Sequence, residues 1–173
     1  VGAYIIDDPR EIHGVNSRVQ LAFCEKIMRD RINESYMVEG VTIIDPENTY
    51  IESSASIGKD SIIYPGVRLT GDTIIGEDCI IGENSRIENS KIGNKVEIYS
   101  STITESEVDD GCAIGPYAHL RPNCHLGKNI KIGNFVEVKN STMGDSSKAA
   151  HLAYIGDADI GRGVNIGCGV IFV

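Results

Sequence analysis

The sequence predicts an all-β protein that folds as a parallel β-helix, and three observations predict it. An apolar residue, most often Ile, Leu or Val, recurs at about every sixth position from Ile51 to Phe172. Glycine often follows this residue, and a compact residue often stands four positions after it. The chain also contains 19 glycines and no tryptophan. A period of six fits neither an α-helix nor a hairpin, but it fits coils built from three short strands and three turns.

The six-residue spacing sets the expected number of strands. It is unbroken from Ile51 to Ile87, shortens to five in several steps before Ile114, and then resumes with occasional steps of five. We therefore expect about twenty strands, arranged in six or seven coils of about eighteen residues. Successive coils should stack about 4.8 Å apart, which is the distance between hydrogen-bonded strands.

The first part of the chain lacks this period and favours a helix. Residues 16–32 place four apolar side chains near one face at helical spacing: Val19, Phe23, Ile27 and Met28. Asn16 is a suitable N-cap for this helix. The residues before it look like the end of another domain, so we expect a connecting helix followed by the coils.

Composition narrows the classes of function. The formal net charge is −9, which disfavours a nucleic acid partner because phosphate backbones attract basic surfaces. We expect no membrane insertion, because no apolar stretch is long enough to span a bilayer. The five cysteines are odd in number and form no C-x-x-C motif. Reduced thiols in a cytoplasmic protein are therefore expected.

Two basic residues suggest an anion site. Arg121 and Lys139 are eighteen residues apart, so they should lie on one face in successive coils. Two cations about 5 Å apart repel each other unless an anion lies between them, and a phosphate group has a suitable size. The alternative is that both are ordinary solvated cations on an acidic surface.

His151 is the candidate for a catalytic base. It lies near Ala149, where the apolar residue of the repeat is unusually small, and a thinner coil would leave room for a ligand. Glu137 precedes it by fourteen residues, so its carboxylate could reach the imidazole, fix its tautomer and raise its basicity. Tyr154 and Asn165 are further polar candidates in the same region. The alternative is a histidine with a purely structural role.

A resemblance to a known family is carried by five segments: GVNSRVQLA, IGPYAHLRP, KIGNFVEVKN, SSKAAHLAYIGDADIG and NIGCG. Over essentially its whole length the chain resembles the bacterial bifunctional glucosamine-1-phosphate N-acetyltransferase / N-acetylglucosamine-1-phosphate uridyltransferase family. The resemblance implies a left-handed parallel β-helix of hexapeptide repeats, preceded by a helical linker and assembled as a homotrimer. Residues 1–18 would be the end of the uridyltransferase domain and residues 19–39 the linker. Residues 40–173 would be most of the acetyltransferase domain, truncated at its C-terminus.

The resemblance also implies a reaction. An acetyl group would pass from acetyl-CoA to the amine of glucosamine 1-phosphate, on the route to UDP-N-acetylglucosamine. His151 matches the general base of the family, and Glu137 matches the carboxylate that orients it. Arg121 and Lys139 match the residues that hold the sugar phosphate.

The remaining matches concern other ligands. Tyr154 and Asn165 match substrate-binding positions, and Cys168 falls where the family contacts acetyl-CoA. Asn16 matches the asparagine that binds the uridine nucleotide sugar and magnesium in the uridyltransferase domain. The partners of Asn16 in that site are absent from the chain, so we expect uridyltransferase activity in a full-length protein and not here.

Two other functions fit the repeat. The coils could form a non-catalytic trimerisation or regulatory module, although the polar set around His151 argues against this. They could instead form a hexapeptide acetyltransferase for another amino sugar. A comparison of acceptor substrates would distinguish that function from acetylation of glucosamine 1-phosphate.

Overall fold

The computed structural model describes residues 2 and 4–173. These residues form a helical segment followed by a long β-helix, so the predicted parallel β-helix is confirmed. Its 21 strands pair in parallel with the strands of adjacent coils. Within the described residues, no helix is long and apolar enough to cross a membrane.

The helical segment consists of a short 3-10 helix, Pro9–Ile12, and helix α1, Arg18–Val38. The N-cap of α1 is Ser17, whose hydroxyl accepts a hydrogen bond from the amide of Gln20. The prediction that Asn16 caps the helix is therefore wrong by one residue. The Asn16 amide instead donates to the side-chain oxygen of Gln20 at 2.7 Å. A serine hydroxyl at the N-cap accepts a hydrogen bond from a free backbone amide of the first helical turn as well as an asparagine side chain would.

Helix α1 contacts the first coil through its C-terminal half. Ile32 and Tyr36 pack against the core, and the buried Asn33 amide donates to the backbone carbonyls of Pro46 and Thr49. Three residues of the predicted apolar face stay exposed: Val19, Phe23 and Met28. The predicted helix is confirmed, but these three side chains do not pack into the core of the coils.

The strands form three parallel ladders. The first ladder contains β1 (Thr42–Ile43), β4 (Ile62–Ile63), β7 (Ile80–Ile81), β10 (Glu97–Ile98), β13 (Ala113–Ile114), the start of β16 (Lys131–Lys139), the start of β18 (Lys148–Gly156) and β20 (Asn165–Ile166). The second contains β2 (Tyr50–Ile51), β5 (Arg68–Thr70), β8 (Arg86–Glu88), β11 (Thr102–Thr104), β14 (His119–Leu120), the ends of β16 and β18, and β21 (Ile171–Phe172). The third contains β3 (Ser56–Ile57), β6 (Ile74–Ile75), β9 (Lys91–Ile92), β12 (Glu107–Val108), β15 (His125–Leu126), β17 (Thr142–Met143) and β19 (Asp159–Ile160).

The ladders make about eight coils, which is more than the six or seven predicted. The additional strand is β1, which lies before the region where residues recur every six positions. A 3-10 helix, Pro46–Asn48, separates β1 from β2 and lengthens the step from Ile43 to Ile51. Strands β16 and β18 also differ from the others, because each runs for nine residues around a corner and joins two ladders.

The core is a column of inward-pointing residues. In the first ladder, the side chains of Ile63, Ile81, Ile98, Ile114 and Ile132 follow each other in register and are buried. Burying one such aliphatic side chain stabilises a fold by about 1.5–3 kcal/mol. The compact residue four positions later also points inward, as the buried Val67, Cys79 and Ser85 show. Both positions of the repeat therefore have the role that the sequence predicts.

Candidate functional site

Most of the predicted site residues meet at the corner between the first and second ladders. Strand β18 carries His151 and Tyr154, strand β16 carries Glu137 and Lys139, and Arg121 directly follows β14. These three strands are neighbours in adjacent coils. Residues far apart in sequence are therefore brought into one surface region by the regular stacking of the coils.

Arg121 and Lys139 lie in adjacent coils, as their spacing predicts. The β14–β16 register pairs Leu120 with Val138, and the Arg121 amide donates to the Val138 carbonyl at 2.8 Å. Both cations, however, already have partners. Arg121 donates to Glu137 at 2.9 Å, and Lys139 donates to Asp157 at 3.1 Å. The inference that these charges need an external anion must be corrected, because carboxylates of the chain neutralise them.

Glu137 lies opposite Tyr154 in the β16–β18 ladder, whereas Asn134 lies opposite His151. Among the described residues no hydrogen bond joins Glu137 to His151, and the carboxylate contacts Arg121 instead. The reason is the length of this coil, which places position 137 beside position 154, seventeen residues later. A residue fourteen positions before His151 therefore lies three positions farther along the strand.

Ala149 occupies the inward position of the repeat. It is fully buried, and the register places it between Ile132 and Ile166 in the core. That this coil is thinner and leaves room for a ligand stays a prediction. His151 is exposed and begins the turn of β18 around the corner.

Two glycines allow the strands at this corner to approach closely. A Cβ atom on Gly133 would collide with the carbonyl oxygen of Ala150 in the next coil. A Cβ atom on Gly156 would lie 2.6 Å from the ring atom Cε1 of Tyr154. The first glycine keeps β16 and β18 paired beside His151, and the second leaves space for the tyrosine ring.

Asn165 and Cys168 lie in the next coil. Asn165 pairs with Lys148 in the first ladder, so it lies around the corner from Arg121 and Lys139. Continuing the register from Ala149 and Ile166 places Cys168 beside His151. The Gly169 amide confirms this alignment, since it donates to the Leu152 carbonyl at 2.8 Å. Cys168 is exposed.

The sequence analysis missed a second pair of cations. Lys131 and Lys148 lie opposite each other in β16 and β18, and both are exposed. Within the described part of the chain, neither has a carboxylate at ion-pair distance. Their spacing of seventeen residues is the feature of the sequence that indicates this pairing. An expected coil length of eighteen residues does not place the two lysines opposite each other.

An exposed apolar ridge borders the same corner. We name it the corner ridge, and it consists of Tyr117, Phe135 and Leu152, which are 61%, 58% and 54% exposed. All three have positive φ angles, of 60°, 56° and 50°. Bulky residues rarely adopt this conformation. The rings of Tyr117 and Phe135 are stacked, with centroids 5.6 Å apart.

Asn16 does not form a magnesium site by itself. It is exposed at the start of α1, and it would supply at most one ligand oxygen. In residues 2 and 4–173 there is no group of three His, Cys, Asp or Glu side chains that could hold a metal ion. Magnesium usually binds to carboxylates, water and phosphate oxygens in octahedral geometry, so Asn16 alone does not fit it.

Comparison with known proteins supports the hexapeptide repeat and also shows sequence similarity over the whole chain. The family model for the bacterial transferase hexapeptide (six repeats) matches residues 54–89 and 105–140. The proteins named "Bifunctional protein GlmU" from Alkaliphilus metalliredigens and Clostridioides difficile are each 61% identical over all 173 residues of the chain. The chain is similar to these GlmU proteins over its whole length. It spans 38% of the length of these two GlmU relatives.

Solved structures show the same fold at low sequence identity. A putative acetyltransferase from Bacillus cereus has a TM-score of 0.53 and 20% identity, with 76% of this chain and 80% of that chain covered. A point mutant of GDP-perosamine N-acetyltransferase from Caulobacter crescentus has a TM-score of 0.51 and 14% identity, with 82% and 61% covered. The β-helix fold of this chain is thus also found in proteins of low sequence identity.

Proposed function

We propose that this chain carries the acetyltransferase site of a GlmU-type enzyme. It would transfer the acetyl group of acetyl-CoA to the amine of glucosamine 1-phosphate and release N-acetylglucosamine 1-phosphate and CoA. The observation that carries the proposal is the register, which gathers His151, Tyr154, Glu137, Arg121 and Lys139 at one corner of three adjacent coils. Residues of the types needed for base catalysis and phosphate binding are thereby within reach of one small substrate.

His151 acts as the general base in this proposal. The amine nitrogen attacks the carbonyl carbon of the thioester, a C–N bond forms, and the C–S bond breaks. His151 takes the proton that the amine loses and passes it to the leaving thiolate, so CoA leaves as the thiol. The exposed imidazole is accessible to a substrate. A well-placed base of this kind contributes about 10²–10⁴-fold to the rate.

Arg121 and Lys139 bind the sugar phosphate after it replaces their carboxylate partners, Glu137 and Asp157. The Arg121–Glu137 and Lys139–Asp157 pairs are partly exposed, and such pairs contribute only about 0.2–1 kcal/mol each. A phosphate group accepts stronger charge-assisted hydrogen bonds and can displace the carboxylates. Release from Arg121 frees Glu137 to orient His151. Tyr154 lies opposite Glu137 and completes the acceptor side.

The donor would bind on the first-ladder side of the corner. Cys168 lies beside His151 in the next coil, and Asn165 follows Lys148 in the ladder. Lys131 and Lys148 supply unpaired positive charge there for the phosphates of CoA. Cys168 contacts the donor without acting as a nucleophile, because direct attack by the amine requires no acyl-enzyme.

We further propose a homotrimer in the cytoplasm. The corner ridge supports self-association, because a contiguous exposed apolar surface commonly marks an interface. The five free cysteines support a reducing compartment. In a longer GlmU protein we also propose a magnesium-dependent uridyltransferase activity. Asn16 is the residue described here that would contribute to it.

The experiment that tests the function is release of free CoA thiol, with and without glucosamine 1-phosphate. We expect acceptor-dependent release that falls about 10²–10⁴-fold in His151→Ala. The control His125→Ala removes an exposed histidine from the third ladder and should retain activity. Near wild-type turnover in His151→Ala would overturn the assignment. Faster release with glucosamine, or with a nucleotide-linked amino sugar, would overturn the proposed acceptor.

A further inference from the structure

A cleft of about 370 Å³ lies between helix α1 and the first coils, far from His151. Its walls include Arg29 and Ile32 from α1, and Tyr50, Arg68 and Thr70 from strands β2 and β5. Small-molecule sites are typically about 300–1,000 Å³ in volume and combine apolar walls with a few polar groups. The cleft matches this description, and the proposed acetyl transfer does not use it.

Two positive charges lie near the Tyr50 ring, which forms part of the cleft wall. The guanidinium carbons of Arg29 and Arg68 lie 4.9 Å and 5.0 Å from the centroid of the Tyr50 ring. The ring attracts both cations but does not neutralise them. Both cations raise the positive potential at this part of the cleft, which favours the binding of an anion.

Only one of the two guanidinium groups has an acidic partner among the described residues. Arg29 donates a hydrogen bond to Glu25 at 3.3 Å, which is longer than the 2.7–2.9 Å of a typical charge-assisted hydrogen bond. Arg68 forms no ion pair with a carboxylate in the described part of the chain. Glu25 and Glu52 both line the cleft, and the Glu52 carboxylate accepts a hydrogen bond from the Gly71 amide at 2.8 Å.

Two buried polar atoms of residues lining the cleft have no hydrogen-bond partner. They are Nε of Arg29 and the hydroxyl oxygen of Thr70, two of the four such side-chain atoms in the described part of the chain. Unsatisfied buried polar atoms are uncommon in folded proteins, and binding of a water, an ion or a ligand is one way to satisfy them. Here the Nε–H donor of Arg29 and the hydroxyl of Thr70 both belong to side chains that line the cleft. A ligand rich in oxygen atoms would satisfy both after small side-chain rotations.

We propose that this cleft binds a phosphate monoester with a small apolar organic group. The two guanidinium groups match the double negative charge, and the Thr70 hydroxyl donates to a further phosphate oxygen. Met28 and Ile32 form the apolar wall that contacts the organic group. This binding is separate from the sugar-phosphate binding at Arg121 and Lys139.

Calorimetric titration with phenyl phosphate tests the proposal. The titrations are made in the Arg121→Ala/Lys139→Ala background, so that phosphate binding at the proposed catalytic corner does not contribute. Loss of a charge-assisted hydrogen bond typically weakens binding about ten- to a hundredfold, and this is the loss expected for Arg68→Ala. Thr70→Val keeps the side-chain shape and should weaken binding by a smaller factor.

Arg86→Ala is the matched control. Arg86 pairs with Arg68 one coil away, is exposed, and does not line the cleft. It should leave the dissociation constant unchanged. Circular dichroism and thermal unfolding of each variant show whether a loss of binding comes from misfolding. Arg29→Lys gives a second test. It keeps the positive charge and a long side chain, but it removes the planar set of N–H donors of the guanidinium group.

Three results would overturn the proposal. One is no binding of phenyl phosphate at millimolar concentration. Another is equal binding by the background protein and by its Arg68→Ala variant. The third is equal affinity for phenyl phosphate, inorganic phosphate and benzoate, because the site would then recognise neither the double charge nor the organic group. CoA release is measured separately, so failure here does not affect the proposed acetyl transfer.

Discussion

The Arg121 guanidinium donates a 2.9 Å hydrogen bond to the Glu137 carboxylate one coil away. This contact joins a residue proposed to bind phosphate to a residue proposed to orient the base. A sugar phosphate and Glu137 therefore compete for the same guanidinium. Substrate binding and orientation of His151 become linked events in the proposed mechanism.

The linkage predicts opposite effects of Glu137→Gln on binding and turnover. The KM for glucosamine 1-phosphate should fall several-fold, because the phosphate no longer displaces a carboxylate from Arg121. The kcat should fall about tenfold or more, because a neutral amide orients the imidazole less well than a carboxylate does. Steady-state measurement of CoA release gives both constants. An unchanged kcat would contradict the role of Glu137, and Glu107→Gln in the third ladder serves as the control.

Gly133→Ala should destabilise the coils at the proposed site. The added Cβ collides with the backbone carbonyl of Ala150, so β16 and β18 must separate beside His151. We expect a loss of about 1–3 kcal/mol in the free energy of unfolding, as for overpacked cores. Gly161→Ala is the matched control, because nothing lies within 4 Å of its added Cβ. Equal urea midpoints for the two variants would disprove this explanation.

Phe135→Asn should weaken assembly without destabilising the single chain. Asparagine tolerates the positive φ of 56° at this position better than phenylalanine does. It also interrupts the corner ridge with a polar group. Light scattering after size exclusion should show a smaller average mass for the variant. The control Ile74→Asn changes an exposed apolar residue of the third ladder, and an equal loss of mass there would argue against the ridge.

Asp157 should make stability sensitive to acid. Hydrogen bonds from the Asn140 amide and then from the Lys139 ammonium lower the pKa of Asp157 below its ordinary value. A carboxylate with a lowered pKa stabilises the fold above its unfolded pKa of about 4, and this contribution is lost as pH falls through the folded value. Urea midpoints from pH 6 to pH 3 should therefore decline less steeply in Asp157→Asn. The same slope in Asp157→Asn and in the wild type would contradict this, and Asp159→Asn is the control.

The sequence was sufficient for most of the β-helix because one physical requirement repeats. Every strand must place a large apolar residue in the core, so the order of residues such as Ile63, Ile81 and Ile98 determines the coils. The first strand was missed because the 3-10 helix after Ile43 changes the spacing. The helix itself was predicted, but its contacts with the first coil were not. A helical pattern shows which side chains share a face, but it does not show which part of the helix the first coil will contact.

The sequence predicted which residues form the proposed site, but it did not predict which of them lie opposite or contact each other. Spacing placed Arg121 beside Lys139, since that coil has eighteen residues. The next coil has seventeen, so Asn134 lies opposite His151, and Glu137, only fourteen residues before His151, lies three positions farther along the strand. A difference of one residue also hid the Lys131–Lys148 pair. The ion pairs of Arg121 and Lys139 depend on side-chain conformation, which the spacing of the sequence does not determine.

The regular stacking of nearly identical coils fixes the distance between any two coils along the axis of the β-helix. Five coil steps separate Arg68 from Tyr154 along the second ladder, which is about 24 Å at the usual strand spacing. Each coil contacts only its neighbours. Inserting or deleting one complete middle coil would shift the two ends by about 4.8 Å while leaving the residues at each end in place. The distance between the two ends is therefore a quantity that can change in single steps during evolution or by design.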